Sequence, residues 1–298
     1  MLARFAPAAF AFVALPFAAC GGSPSGDAPV DAGTTFAAPH DAAPADSSPV
    51  DAKTPWARLE PHQHRVLKSM RLVVVYIGDE SAGGPQSFDT FVDWLLTSDY
   101  WGIMQQYGVG KGSRVTSLRI PVSSVIPEGA VTKGLITAED LELAVHAAIH
   151  PAGLDAGVDA SGDAAEEASV DASPPPALPL ADAYIFFLPV GVNVNLGQRG
   201  GHVFQTCIDA GGYHAFDGEE PYAIIPPCTL GRSALAVSHE LAEMATDPFP
   251  NQGWFSTKDV ENAGGEIGDL CNQVAPGGAD GWDVTQLWSN ADGDCEPN

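Results

Sequence analysis

The segment AVSHELAEMATDP, residues 236–248, constrains the fold of this chain more than any other stretch. We predict that it lies in a helix from about Ser233 to Thr246. The helix should end there because Pro248 keeps the residue before it out of the helical conformation. Apolar side chains occupy nearly every side of this helix, and a helix of that kind is buried inside a protein. The fold must therefore cover it with other elements.

Three ionisable residues, His239, Glu240 and Glu243, lie within this apolar helix. Burial without partners would cost several kcal/mol for each group, so the fold must compensate them. A divalent metal ion is the simplest compensation, because His239 and Glu243 are four residues apart and share one helical face. The pattern is similar to the H-E-x-x-H helix of zinc peptidases, in which two histidines bind zinc and the glutamate acts on zinc-bound water. We therefore predict a buried, zincin-like H-E-x-x-E helix, with His239 and Glu243 as metal ligands and Glu240 as the general base.

Glu243 occupies the position of the second histidine of the zinc peptidases. Its carboxylate oxygen is a harder ligand, in the sense of hard and soft donors, than an imidazole nitrogen. Zinc remains the expected ion, with manganese, iron or calcium as alternatives. The alternative without a metal is a helix whose glutamates pair with arginine or lysine and whose histidine is a satisfied core residue. The chain has only 13 lysines and arginines, and only Arg232 and Lys258 are close to this helix in sequence. This scarcity favours the metal.

Two further acids follow in GGEIGDLC, residues 264–271. In one large class of H-E-x-x-H peptidases, the third ligand is a glutamate at a comparable distance downstream. Glu266 and Asp269 are therefore the candidates for further metal ligands, and the glycines around them let a loop approach an ion closely. Upstream, GGYH places His214 near Cys207. We treat His214 as a candidate catalytic residue, either a further ligand or a donor that faces the substrate.

Strands and helices alternate along the folded part of the chain, which predicts an α/β (or α+β) fold with a mixed sheet flanked by helices. The predicted strands are Arg71–Asp79, Ser113–Val122, Ala183–Val194 and Pro221–Pro226. The other predicted helical segments are Ser87–Gly108, as one or two helices with Ser87 as N-cap, and Thr137–Ile149, opened by Thr137.

Residues 1–19 are predicted to be a signal peptide, in which Arg4 precedes an apolar run too short to span a bilayer. The run ends in FAAC, which resembles the lipobox of bacterial lipoproteins, although Phe17 stands where leucine is usual. Lipid on Cys20 would tether the protein to a membrane of the cell envelope without spanning it. We therefore expect an exported lipoprotein of the cell envelope, with an outer-membrane, periplasmic or surface-facing location as alternatives. The alternative is an ordinary cleaved signal with an incidental cysteine.

Two segments rich in alanine, proline and aspartate have few large apolar side chains. They are residues 20–56, which begin with the lipidated cysteine, and residues 151–181. Such segments cannot bury enough surface to offset the entropy lost on ordering. We predict that the first is a disordered linker and that the second is a low-complexity insertion in one globular domain, residues 57–298.

Four cysteines remain after Cys20, an even number that suits disulfide formation in an oxidising compartment. Of the three possible pairings, we favour the local one, Cys207–Cys228 with Cys271–Cys295. A zinc site made from all four cysteines lacks the expected C-x-x-C spacing.

The formal net charge of −25 argues against nucleic acid and anionic lipid headgroups as partners, because those surfaces require patches of lysine and arginine. We expect a monomer whose substrate or partner is a peptide or a cell-envelope polymer.

Several separated motifs resemble the phosphate-induced/EXORDIUM-like family, which includes secreted plant proteins and exported bacterial ones. The motifs are SHELAEMATDP, GW, EIGDLC and LWSNADGDC, with DWLLTSDYW, QQYGVG, FLPVGV and GGYH further upstream. The resemblance runs from about Val73 to the C-terminus and skips the insertion, which favours a single domain. It implies the shared site residues His239, Glu240, Glu243, Glu266 and Asp269. It also implies a wall-associated protein linked to growth in plants, without an agreed chemistry.

Two functional hypotheses follow from these residues. The first is an exported, zinc-dependent, peptidase-like hydrolase, in which Glu240 deprotonates zinc-bound water. The second is a non-catalytic surface or wall-binding protein with a structural metal site. An open coordination position separates them, because structural zinc is closed by four protein ligands.

Overall fold

A five-stranded sheet forms the middle of the protein in a computed structural model that describes residues 58–78, 85–151, 178–199, 201–228, 230–257, 265–271, 274–275 and 282–297. Along the chain, the strands are β1 (Glu60–Pro61), β2 (Arg71–Ile77), β3 (Ser113–Ile120), β4 (Leu135–Thr137), β5 (Ala183–Phe187), β6 (Asn193–Arg199), β7 (His202–Gln205), β8 (Tyr213–Asp217), β9 (Glu220–Ile225), β10 (Trp254–Phe255), β11 (Val274–Ala275), β12 (Val284–Thr285), β13 (Leu287–Ser289) and β14 (Asp294–Glu296). The α-helices are α1 (Pro85–Leu95), α2 (Asp99–Gly102), α3 (Glu128–Lys133), α4 (Ala138–Ile149) and α5 (Leu230–Thr246). The predicted signal peptide, the linker and most of the insertion lie outside the described residues.

The central sheet has the strand order β3-β2-β5-β9-β8. The first four strands are parallel, and β8 pairs antiparallel with β9 at one edge. Strands β2 and β5 come from opposite sides of the predicted insertion, and they are neighbours in this sheet. The prediction of an α/β single domain with a mixed sheet flanked by helices is confirmed.

Each face of the sheet carries its own apolar core. Alternate residues of β2 point to opposite faces, as the pleat of a strand requires. Leu72 and Val74 belong to the core that also contains the apolar side chains of α1 and α5. Val73 and Val75 belong to the core that contains those of α4. Strands covered on both faces are typical of parallel sheets, which explains the unbroken apolar run of β2.

The strand predicted over Ala183–Val194 is two strands in two sheets. Strand β5 ends at Phe187, and the chain turns before β6, which joins β4 and β7 in a separate three-stranded sheet. Gly191 has a φ of +84° in this turn, a conformation that glycine adopts easily. The single-strand prediction was wrong because the apolar residues continue through the turn.

Helix boundaries follow local signals with two differences from the predictions. Helix α1 begins at Pro85, a residue suited to the first turn, so the prediction that Ser87 is the N-cap was wrong. Helix α5 begins at Leu230, earlier than predicted, and ends at Thr246 as Pro248 requires. The cap of α4 is confirmed, because the Thr137 side chain accepts a hydrogen bond from the backbone N–H of Asp140.

Both predicted disulfides are confirmed. Cys207–Cys228 links the chain before β8 to the chain after β9. Cys271–Cys295 links the segment 265–271 to β14. Such bridges stabilise a fold mainly by restricting the unfolded chain. Here they also hold two loops close to α5. No helix among the described residues has the length and apolar character needed to cross a membrane.

Glu142 on α4 is a partly buried acid, and it generates a prediction about stability. Burial and the nearby charge of Glu139 raise its pKa to about 7. The folded chain therefore holds this proton at pH values where the unfolded chain has lost it. Stability should fall as the pH rises from about 4.5 towards 7.

We expect Glu142→Gln to stabilise the protein at pH 8, because the variant avoids burying the ionised carboxylate. Solvent screening of this partly exposed group limits the gain to about 1 kcal/mol. Urea unfolding at pH 8 and pH 4 measures the difference, which should disappear at the lower pH. An equal gain at both values would contradict the proposed cause.

Candidate metal centre

Helix α5 brings three ionisable side chains into the interior beside the central sheet. His239, Glu240 and Glu243 are 7%, 6% and 3% exposed, respectively. The helix packs on β8, β9 and β12. The backbone N–H of Thr285 in β12 donates a hydrogen bond of 3.0 Å to the Ser238 hydroxyl, which joins strand and helix next to His239. The predicted burial of this helix is confirmed.

One group of potential ligands surrounds His239. Its Nε2 lies 3.0 Å from Glu243 Oε1 and 3.6 Å from Asp269 Oδ1. The backbone N–H of Asp269 donates to the same Glu243 oxygen at 3.2 Å, which fixes the loop against the helix. These three residues offer ligand atoms that all lie within 4.8 Å of one another, so they could hold a metal ion.

A second group surrounds His214, which the edge strand β8 supplies. Its Nδ1 lies 3.3 Å from Glu240 Oε2 and 3.6 Å from Glu243 Oε2. Its Nε2 lies 3.4 Å from Glu266 Oε1. His214, Glu240 and Glu243 also offer ligand atoms within 4.8 Å of one another.

The structure thus brings all six predicted site residues together, and it divides them into two groups that share Glu243. Of the two downstream acids, Asp269 is the one that lies beside His239. Glu266 lies on the other side, next to His214. The roles of these residues as ligands or catalysts stay predictions.

Unpaired polar atoms in the centre support a bound cation. His214 Nε2, Glu266 Oε1 and Asp269 Oδ2 are buried and have no hydrogen-bond partner among the described residues. His214 Nε2 and Glu266 Oε1 lie close together, but their orientation does not make a hydrogen bond. Buried polar atoms normally have partners, so these three indicate a function beyond packing.

In the described part of the chain, no lysine or arginine forms an ion pair with the four acids of the centre. These acids are Glu240, Glu243, Glu266 and Asp269. The arginine ion pairs found there join Arg65 to Glu219 and Arg114 to Asp89 and Asp93. The centre therefore combines four carboxylates with two imidazoles, and none of the described lysine or arginine side chains pairs with it.

Burial and the neighbouring negative charges make Glu243 and Asp269 hold protons strongly when no cation is bound. Burial raises the pKa of Glu243 well above its ordinary value, although His239 opposes this shift. Burial likewise raises the pKa of Asp269 to about 6. Binding of a cation would displace these protons, so affinity for metal should increase with pH.

The pKa values of the two imidazoles are raised as well, but for a different reason. Burial alone would lower their pKa values, but the surrounding carboxylates more than reverse this. Glu266 and Glu240 raise the pKa of His214 well above its ordinary value, and Glu243 and Asp269 do the same for His239. Without a cation, the imidazoles supply the positive charge of the centre.

Asp247, which follows α5, has a structural role that was not predicted from the sequence. Its carboxylate accepts hydrogen bonds from the backbone N–H groups of Asn251, Gln252 and Gly253, at 2.7, 3.0 and 2.6 Å. It thereby organises the turn that leads away from the helix. An aspartate at a helix end before a proline is a recognisable turn signal.

A surface group of potential ligands was also missed. His146 and His150 lie one turn apart at the end of α4, and Asp217 ends β8. Asp217 Oδ2 lies 2.6 Å from His146 Nδ1 and 3.3 Å from His150 Nε2. The H-x-x-x-H spacing was the available signal, whereas nothing local identifies the distant aspartate.

Comparison with family models, curated proteins and solved structures found no match for this chain. The resemblance to the phosphate-induced/EXORDIUM-like family therefore stays a prediction based on the motifs.

Gly268 lets the downstream loop approach the centre. A Cβ atom at this position would lie 2.6 Å from His239 Nδ1 and 3.0 Å from Glu243 Oε1. We expect Gly268→Ala to lower the free energy of unfolding by about 1–3 kcal/mol, as overpacking does in cores. Urea unfolding of the metal-free protein measures this loss.

Gly129→Ala is the matched control. A Cβ atom there meets nothing within 4 Å, and the residue lies in α3. Alanine in a helix should leave stability unchanged or raise it slightly. Equal stability of the wild type and Gly268→Ala would contradict the close approach of the loop.

Proposed function

We propose that the protein is an exported, metal-dependent hydrolase of the peptidase-like kind, with zinc as its expected ion. The observation that supports this is the convergence of His239, Glu243 and Asp269 beside a fourth polar residue, Glu240, in a buried centre without lysine or arginine pairs among the described residues. Catalytic zinc sites use three protein ligands and keep a position open. The group around His239 has that number and type of donors.

A zinc ion held there would supply Lewis-acid chemistry, which polarises a carbonyl group and acidifies water. The chain itself would supply the proton acceptor. Glu240 lies next to the ligand His239 in sequence, and its Oε2 contacts His214 Nδ1 at 3.3 Å. This contact holds the carboxylate in one orientation, as a positioned acid or base requires.

Metal content and hydrolysis of a casein-type substrate test this proposal in three variants of the full chain. His239→Ala removes a ligand, so it should lose the activity and the ion bound by the His239 group. Glu240→Gln should keep the ion bound by the His239 group and lower the turnover about 10²- to 10⁴-fold.

His202→Ala is the control for this experiment. His202 is an exposed histidine that contacts Asp209, away from the centre, so the variant should keep the ion and the activity. A folded wild-type protein that binds no divalent metal would overturn the proposal.

The second candidate is a non-catalytic surface or wall-binding protein with a structural metal site. Its support is the closure of the centre: Glu243, Asp269 and Glu266 are only 3%, 2% and 6% exposed. A groove of about 540 Å³ is lined by residues that include Arg65, Asp182 and Phe249. None of the six residues of the centre lines this groove. Stability that depends on zinc, without hydrolysis of any peptide, would favour this candidate.

The proposed location is the cell envelope. Two disulfides are compatible with an extracytoplasmic location. We further propose that Cys20 carries lipid and that the chain is an exported bacterial member of the phosphate-induced/EXORDIUM-like family. The FAAC segment and the order of the motifs support these two proposals.

Expression in a bacterial host tests the lipid anchor. We expect the wild-type chain in the membrane fraction, because acyl chains bind it to the bilayer. Cys20→Ser should move it to the soluble exported fraction, while the control Ser25→Ala should stay with the membrane. Membrane association of Cys20→Ser would refute the anchor.

A further inference from the structure

We infer that His214, Glu240 and Glu243 form a second divalent-cation site, and that Glu243 bridges it to the site at His239. This inference rests on the proposed function, because it adds a second ion to the same centre. The proposed centre contains two metal ions bridged by a carboxylate, an arrangement that occurs in hydrolases that use two metals.

The orientation of Glu243 is the first observation that supports a bridge. Its Oε1 faces His239 Nε2 at 3.0 Å, whereas its Oε2 faces His214 Nδ1 at 3.6 Å. Each oxygen thus belongs to a different group of ligand atoms. A carboxylate that served one ion alone would not need a second imidazole on its other oxygen.

The spacing of the donors is the second observation. Two ligands about 2.1 Å from one ion, at a tetrahedral angle, are about 3.4 Å apart. His214 Nδ1 lies 3.3 Å from the Glu240 oxygen and 3.6 Å from the Glu243 oxygen. The group around His214 therefore has the spacing of a coordination shell, as the group around His239 does.

Glu266 supplies the third observation. Histidine ligands usually donate their other ring N–H to a carboxylate, which fixes the tautomer and the orientation of the ring. His214 Nε2 lies 3.4 Å from Glu266 Oε1, and both atoms are buried without another partner among the described residues. An ion on Nδ1 would leave the proton on Nε2, the ring atom that lies 3.4 Å from Glu266 Oε1. Glu266 is then a positioning residue for this second site.

Charge balance also favours two ions over one. The centre holds four carboxylates, from Glu240, Glu243, Glu266 and Asp269. If all four carboxylates are ionised and both imidazoles are neutral, one divalent cation would leave two negative charges uncompensated in a buried site, which is costly. Two divalent cations neutralise all four carboxylates. The carboxylate-rich donor set suits manganese, iron or zinc.

The second site changes the expected role of Glu240 from general base to metal ligand. Loss of turnover in Glu240→Gln fits both roles, so activity alone does not separate them. The number of bound ions does, because a general base binds no ion of its own.

Manganese is the probe for the test, because its electron paramagnetic resonance signal distinguishes coupled from isolated ions. The full chain carries His146→Ala and His150→Ala in every sample, so that the surface group at Asp217 adds no ion to the count. Equilibrium dialysis followed by mass spectrometry gives the number of ions per chain. We expect two ions and a spin-coupled signal in this parent protein.

Substitution of His214 should remove only the second ion. His214→Gln is expected to bind one manganese ion with the signal of an isolated centre, and circular dichroism checks that the variant is folded. Glu266→Gln keeps all the proposed ligands of both ions. It should lower the affinity for the second ion about 10- to 100-fold and leave the affinity for the first ion unchanged. The control His202→Ala should still bind two.

The outcomes separate this inference from the proposed function. One ion in the parent protein, or two ions in a folded His214→Gln, would overturn the second site and leave the first standing. No ion in a folded parent protein would overturn both.

Discussion

The buried carboxylate of Glu243 is the group on which the rest of this structure depends. It is 3% exposed and lies in a helix whose neighbouring side chains are largely apolar. An ionised carboxylate in such a place needs compensation worth several kcal/mol. Both imidazoles of the centre face it, one on each oxygen. The other acids are arranged around this shared group, and that arrangement makes a cation the natural partner of the whole centre.

The fold serves this group by placing α5 against the sheet and by bringing loops to the same place. Strand β8, at the sheet edge, contributes His214, and the segment 265–271 contributes Glu266 and Asp269. A disulfide ties each of these regions to another part of the chain. The loops therefore approach a rigid helix with little freedom, which is the condition for ligands that meet at ion-binding distances.

Local sequence patterns predicted the existence of helices and strands better than their first and last residues. The apolar run and Pro248 identified α5, and closeness in sequence identified both disulfide pairs. The strand starting at Ala183 was extended too far, because apolar composition continues where the backbone turns. Pro85 begins α1, whereas the capping tendency of serine pointed to Ser87. In both cases, the backbone conformation, a turn after β5 and a proline at the start of α1, decided the boundary against the composition of the segment.

By itself, the sequence determined which groups α5 carries and that His239 and Glu243 share a helical face, because a spacing of four residues does this in any α-helix. It also identified Glu266, Asp269 and His214 as candidates. Only the tertiary structure decided that Asp269 joins His239 while Glu266 joins His214. That choice depends on the path of loops over long sequence separations, which no local periodicity encodes. The division of the centre into two groups on the two oxygens of Glu243 follows from that path.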